Sequence, residues 1–148
     1  MGLFGPKKHS KRVGEGSEIA IAARLLEVGY GVAKPLGEST RYDLIIEDGD
    51  GKFWRVRCKT AWLSGNKETL IFATSSNHYH YRAKSGRNTN YRRGYLGKAD
   101  YFAVYSPDLR KAYLVPVSHF GASQAYLHLV PTKANNQYGI KMAEDYEL

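Results

Sequence analysis

The chain has a single cysteine, Cys58, in 148 residues, so no disulfide can close within it and no zinc site can be built from its own cysteines alone. Long apolar runs are missing as well. None approaches the roughly 20 residues needed to cross a bilayer, and the N-terminal segment lacks the continuous apolar stretch of a signal peptide. These absences point away from membranes and secretion and place the expected compartment in the cytoplasm. A third absence is local: between Thr69 and Ala99 there is no Asp or Glu at all.

What is present describes an ordinary globular domain. A hydrophobic fraction of 43% and a charged fraction of 24% fit neither a disordered nor a membrane-embedded chain, and the length suits one domain with a sizeable core. The net charge of +8 is unevenly carried. Lys7, Lys8, Lys11 and Arg12 crowd the N-terminus; Arg82, Lys84, Arg87, Arg92, Arg93 and Lys98 fill the acid-free stretch. Such asymmetry favours a polyanion, and anionic lipid or an acidic protein surface would satisfy charge alone. The same stretch interleaves Tyr79, Tyr81, Tyr91 and Tyr95 with Asn77, Asn88 and Asn90, which can stack or hydrogen-bond on sugar, phosphate and bases. Packing in a core or an oligomer interface is the competing use of those tyrosines.

Periodicity divides the chain into a short N-terminal arm, 1–13, and one domain, 14–148. The arm is rich in Gly, Pro and Lys without a repeat. Over 15–28, Ile19, Ala22, Ala23 and Leu26 recur at helical spacing and Gly29 is placed to stop the helix. Glu18, at the border of that apolar face, can look inward. After Gly29 the period changes to two: 30–34 is a short strand candidate, and 41–47 sets Tyr42, Leu44 and Ile46 against Asp43 and Ile45. Asp48-Gly49-Asp50-Gly51 is turn chemistry, and 52–60 returns with Trp54, Val56 and Cys58 on one face and Phe53, Arg55, Arg57 and Lys59 on the other. Further strands are expected over 70–74, 101–106 and 111–116, a short helix over 118–122 and an edge strand over 126–130. The sheet is expected to be mixed or largely antiparallel.

The hairpin places Asp43 and Lys59 on neighbouring strands, with Glu18 able to approach from the helix. Two carboxylates beside a lysine are what phosphodiester hydrolysis requires: oxygen ligands for Mg²⁺, and a cation that orients water or offsets developing charge. By spacing alone, a solvated face of mixed charges explains these residues at least as well.

The run from Gly14 to Glu18, the strand Arg41-Tyr42-Asp43-Leu44-Ile45-Ile46 and the strand Val56-Arg57-Cys58-Lys59-Thr60 resemble the PD-(D/E)xK nuclease superfamily, in particular its small intron-encoded homing-endonuclease-like branch and, more distantly, archaeal Holliday-junction resolvases. The likeness continues through Asp100-Tyr101-Phe102-Ala103-Val104-Tyr105, Tyr113-Leu114-Val115-Pro116-Val117 and Ala143-Glu144-Asp145-Tyr146. It implies an α/β fold, a restriction-endonuclease-like core with a mixed central sheet flanked by helices. It also implies a Mg²⁺-dependent deoxyribonuclease, with Mn²⁺ as a substitute, acting on DNA as a homodimer or higher homo-oligomer. By the resemblance Glu18 is the helix carboxylate, Asp43 the metal-binding aspartate and Lys59 the catalytic lysine, with the Cys58 backbone carbonyl as a further metal ligand. Pro35 lies too far from Asp43 to be the motif proline.

Arg57 departs from that pattern, which expects Glu, Asp or Gln two residues before the lysine. A guanidinium has no acceptor and cannot bind Mg²⁺. Two outcomes follow: in a protein that cuts, Glu18, Asp43, the Cys58 carbonyl and water hold the ion and Arg57 turns to phosphate; in a silent DNA-binding relative metal binding is weakened and Arg57 pairs with Asp43 or Glu18. The DNA-binding set read from the sequence comprises Lys7, Lys8, Lys11, Arg12, His78, His80, Arg82, Lys84, Arg87, Arg92 and Arg93. His78 and His80 share one side of a strand, but zinc would need a third ligand from elsewhere, so polar or phosphate contacts are the simpler reading. Cys58, alternating with Trp54 and Val56, reads as a small buried hydrophobe.

Overall fold

The computed structural model describes residues 5, 9–82, 87–121, 123–132 and 139–148, those of 77–82 and 87–92 by backbone alone. The first element is helix α1, Ser10–Glu27, whose N-cap His9 accepts the Lys11 amide at 3.3 Å. That cap starts the helix earlier than residue 15, so the end of the expected arm is helical; Lys7 and Lys8 lie outside the described residues. Gly29, at φ 106°, ends the helix: Tyr30 N bonds the Leu25 carbonyl at 3.0 Å and Gly29 N the Leu26 carbonyl at 3.1 Å.

The buried line of α1 is Ser17, Ile21 and Leu25. This corrects the expected stripe, since Ile19 is 72% and Leu26 58% exposed. The phase is set by a residue that a count of apolar positions overlooks: the Ser17 hydroxyl, 2% exposed, lies 2.6 Å from that of Thr60. Ile21 and Leu25 follow it at four-residue steps and reach the sheet along the same line.

Ten strands follow among the described residues: β1 (Gly31–Ala33), β2 (Leu44–Glu47), β3 (Phe53–Thr60), β4 (Trp62–Leu63), β5 (Thr69–Ala73), β6 (Ser75–Arg82), β7 (Arg87–Gly94), β8 (Tyr101–Ser106), β9 (Lys111–Pro116) and β10 (Gln124–His128). Five form a sheet in the order β1-β2-β3-β8-β9, antiparallel throughout except for the parallel pair β3–β8, and the central sheet is therefore mixed. A second sheet runs β10-β5-β4, and β6 pairs with β7 as a separate hairpin. The expected short helix is a 3-10 turn at Val117–His119, and the strand expected over 126–130 is shifted to β10. The hairpin β6–β7 was not foreseen, because that stretch is read by its charge rather than by alternation.

Strand alternation divides the core in two. On one face of the central sheet Ile21 and Leu25 of α1 pack on Leu44, Ile46, Val56 and Ala103. On the other, Phe102, Val104, Tyr113 and Val115 meet Leu70, Phe72, Ala125 and Leu127 of the second sheet. Fully buried aromatics such as Phe72 anchor this layer, and truncation to alanine at such a position costs about 3–5 kcal/mol. The turn between β2 and β3 is fixed by Asp48, whose carboxylate accepts the amides of Asp50 and Lys52 at 2.9 and 3.0 Å and the Trp54 indole at 2.9 Å. Register Leu44↔Val56 therefore sets which residues stand where β2 begins.

Candidate active site

The site is built where β2 leaves the ladder. The strand was expected from residue 41, but pairing begins at Leu44. Asp43 gives its amide to the Val56 carbonyl at 2.8 Å, out of line with the Leu44↔Val56 register, and its Oδ2 takes the Cys58 amide at 2.8 Å. A carboxylate thus replaces a main-chain acceptor at the sheet's end, which pins Asp43 against β3. Its other oxygen, Oδ1, accepts Arg57 Nη1 at 3.0 Å. Arg57 and Lys59 share one face of β3, both reaching the ring of Tyr95, while Cys58 packs with the helix-side core. Burial pushes the Cys58 thiol well above its usual range, so it is a hydrophobe here and no nucleophile.

Glu18, placed by the Ser17–Thr60 bond one residue before it, is ion-paired to Lys34 just after β1. Lys34 is held above the usual lysine range by the Glu18 hydrogen bond and charge. Glu18, Lys34, Glu38, Asp43 and Arg57 line one cavity of about 230 Å³. The larger cleft, about 540 Å³, lies over the second sheet and carries no carboxylate among its lining residues, so it cannot hold two-carboxylate chemistry.

Electrostatics inside the site follow from burial. Asp43 is raised above the ordinary carboxylate range, because desolvation outweighs the Cys58 amide and the Arg57 charge that work against it. Lys59 is pushed below the usual lysine range, again first by burial, with Tyr95 opposing and Arg57 assisting. Tyr95 would be raised by burial alone, but Lys59 and Arg57 bring the phenol below its usual value.

The donor set suits a hard divalent cation. Three carboxylates, Glu18, Glu38 and Asp43, line one cavity, and such ions take oxygen ligands. Among the described residues no group of three or more His, Cys, Asp and Glu side chains comes together to hold an ion, so at most two of these acids could ligate one ion and main chain or water would complete the set. Two of the acids already carry a cation, Asp43 the guanidinium of Arg57 and Glu18 the ammonium of Lys34.

Several sequence expectations are corrected or left aside here. Tyr95, read as a possible stacking residue, is a core residue at 2% exposure. Lys11 and Arg12 stand exposed on the first turn of α1, and Arg93 is exposed at the end of β7. The side chains of His78, His80, Arg82, Arg87 and Arg92, and Lys84 altogether, lie outside the described residues. Lys34 and Arg41 were missed. Arg41 donates to Ser76 Oγ at 2.9 Å and the Arg93 carbonyl at 3.1 Å, tying the root of the β6–β7 hairpin to the site, yet in sequence it is only the basic residue opening a strand.

A mixed five-stranded sheet with a helix on one face, with Glu18 on that helix, Asp43 at the entry to β2 and Lys59 on β3, defines a restriction-endonuclease-like α/β protein. The sequence pattern of the PD-(D/E)XK endonucleases matches residues 8–148, and the chain belongs to that family. Among solved structures it is similar to a bacterial homing endonuclease, I-Ssp6803I, with a TM-score of 0.68 and 24% identity over 95% of this chain and 89% of that one. No curated protein matches it.

Proposed function

We propose that the chain is a metal-dependent endonuclease that hydrolyses phosphodiester bonds in DNA. The observation that carries this reading is the meeting of Glu18, from α1, and Asp43, from the entry to β2, at one cavity that Arg57 also lines, with Lys59 on the same face of β3 as Arg57. In the proposed mechanism Glu18, Asp43 and the Cys58 carbonyl would hold Mg²⁺, or Mn²⁺ in its place. When bound, the ion would polarise the scissile phosphate and lower the pKa of water. Lys59 orients the water and offsets charge developing on the phosphate. Arg57 leaves Asp43 and turns to a phosphate oxygen, and Lys34 leaves Glu18. The hairpin β6–β7 and the first turn of α1 supply phosphate contacts through Lys11, Arg12 and the basic residues of 78–93, with Lys7 and Lys8 preceding the helix. A second copy of the chain, in a homodimer or higher oligomer, would cover the exposed Ile19, Ala23 and Leu26 on the outer side of α1.

One observation favours a second reading, a catalytically silent DNA-binding relative: Arg57 stands two residues before Lys59 and holds Asp43 at 3.0 Å. Incubating the protein with linear duplex, branched and single-stranded DNA in Mg²⁺, Mn²⁺ or EDTA separates the two. Cleavage in either metal, absent in EDTA and in Asp43→Ala while that variant still binds DNA, is the expected result. Binding without cleavage in any metal selects the silent relative, and full cleavage by Asp43→Ala would remove this carboxylate site from the chemistry.

A further inference from the structure

Among the described residues Lys59 forms no ion pair; its nearest polar neighbour is a phenol. Lys59 Nζ lies 3.5 Å from Tyr95 Oη and 4.6 Å from the centre of its ring. The same ring faces two more cations, Arg41 with Cζ at 4.3 Å and Arg57 with Cζ at 5.4 Å. Among the described residues only Asp43 pairs with any of these three by a salt bridge, through Arg57. Three like charges gathered in a half-buried place repel one another, and an aromatic face offsets that repulsion because its quadrupole is negative above the ring. The ring is itself immobilised: Tyr95 is 2% exposed and meets Phe102 edge-on, with centroids 5.7 Å apart and planes at 86°.

From this geometry we propose that Tyr95 is a positioning residue, whose ring face and hydroxyl hold the Lys59 ammonium in place beside Arg57 and within reach of the Asp43 charge. The inference rests on the endonuclease reading of the site. A tyrosine kept for packing alone would serve equally well as phenylalanine, whereas here the hydroxyl lies 3.5 Å from a lysine and three cations approach the ring. Tyr95 is central to the hairpin root as well, since Arg41, which covers its ring, also holds Ser76 and the Arg93 carbonyl. It thereby joins the lysine of the site to the hairpin, whose strands carry Arg82, Arg87, Arg92 and Arg93.

Two variants test this, Tyr95→Phe, which keeps the ring, and Tyr95→Leu, which removes it. Each is assayed in Mn²⁺ beside the native chain and Lys59→Ala for kcat and KM per folded molecule, with Tm measured on the same preparations. Tyr95→Leu is expected to lower kcat roughly tenfold, the loss of one partly desolvated cation–π contact, and to raise KM for DNA as well because Arg41 loses the ring it covers at the hairpin root. Tyr95→Phe should recover part of that loss and remain several-fold below native, because it restores the face without the hydroxyl. If Tyr95→Leu does not fold, the fall in kcat in Tyr95→Phe decides alone. Native kcat in every folded Tyr95 variant, beside an inactive Lys59→Ala, would overturn the inference and leave the endonuclease reading standing. Cleavage by none of the proteins, native included, would overturn both.

Discussion

At the scale of single residues, the substitution that distinguishes this chain from its family's pattern is Arg57. It cannot ligate a metal, and it holds one of the two carboxylates that could. Removing the guanidinium leaves Asp43 to a divalent ion, and placing an acid there adds an oxygen ligand. Arg57→Gln should therefore bind Mn²⁺ more tightly than the native chain, and Arg57→Glu tighter again by about tenfold, the scale of one part-buried charge contact. Calorimetric titration with Mn²⁺ reads this directly. Equal affinity in all three proteins would mean that the ion pair does not compete with metal. Period-two alternation located Lys59 on β3 and put Asp43 in the expected strand, whereas β2 begins one residue later. Arg57's partner was legible only as one of two acids, since choosing between Asp43 and Glu18 depends on where β2 leaves the ladder.

At the scale of elements, the parallel pair β3–β8 is the join on which the central sheet depends, and it is clamped at its start. Asp100 accepts the Arg55 amide at 2.8 Å and the Arg55 guanidinium at 3.1 and 3.0 Å, while its own amide bonds the Arg55 carbonyl at 2.9 Å. The Arg55 hydrogen bond holds the Asp100 carboxyl below the usual range. A depressed carboxylate stabilises the fold above its unfolded pKa, near pH 4, and that contribution is lost as pH falls through the lower folded value. Asp100→Asn should thus be less stable than native at pH 7 by about 1 kcal/mol, a modest figure because the pair is partly exposed. The difference should close towards pH 2. Urea unfolding at both pH values measures it, and a gap that stays constant with pH would mean that the carboxylate charge is not what holds β3 to β8. Sequence alternation located both strands but not their parallel pairing, because Arg55 and Asp100 are brought together by a connection that itself contains β4, β5 and the hairpin.

At the scale of the whole molecule, charge governs encounter with a polyanion. The surplus of +8 is concentrated at the start of α1 and along the hairpin, and the hairpin root is fastened to the site by Arg41. Each phosphate contact releases counterions, so Arg87→Ala, Arg92→Ala and Arg93→Ala should each weaken DNA binding and lower the slope of log K against log salt by about one unit. Fluorescence titrations at several salt concentrations, without metal, give the slope independently of cleavage. Unchanged affinity and slope in all three would assign the hairpin's charge to another purpose. No helix among the described residues is long and apolar enough to cross a membrane.

The sequence by itself determined the leading helix, the strands β1, β2, β3, β5, β8 and β9 in their order, and the mixed α/β class. Those features rest on local periodicity, on turn residues such as Asp48 and Gly29, and on short motifs, all of which act over a few positions. Only the tertiary structure decided the rotation of α1, fixed by the Ser17–Thr60 bond, and the pairing of each acid with its cation, Asp43 with Arg57 and Glu18 with Lys34. It alone placed Tyr95 in the core beneath three cations. Hydrogen bonds and charge contacts between residues far apart in the chain leave no periodic trace; they exist only once packing has brought their partners within a few ångströms.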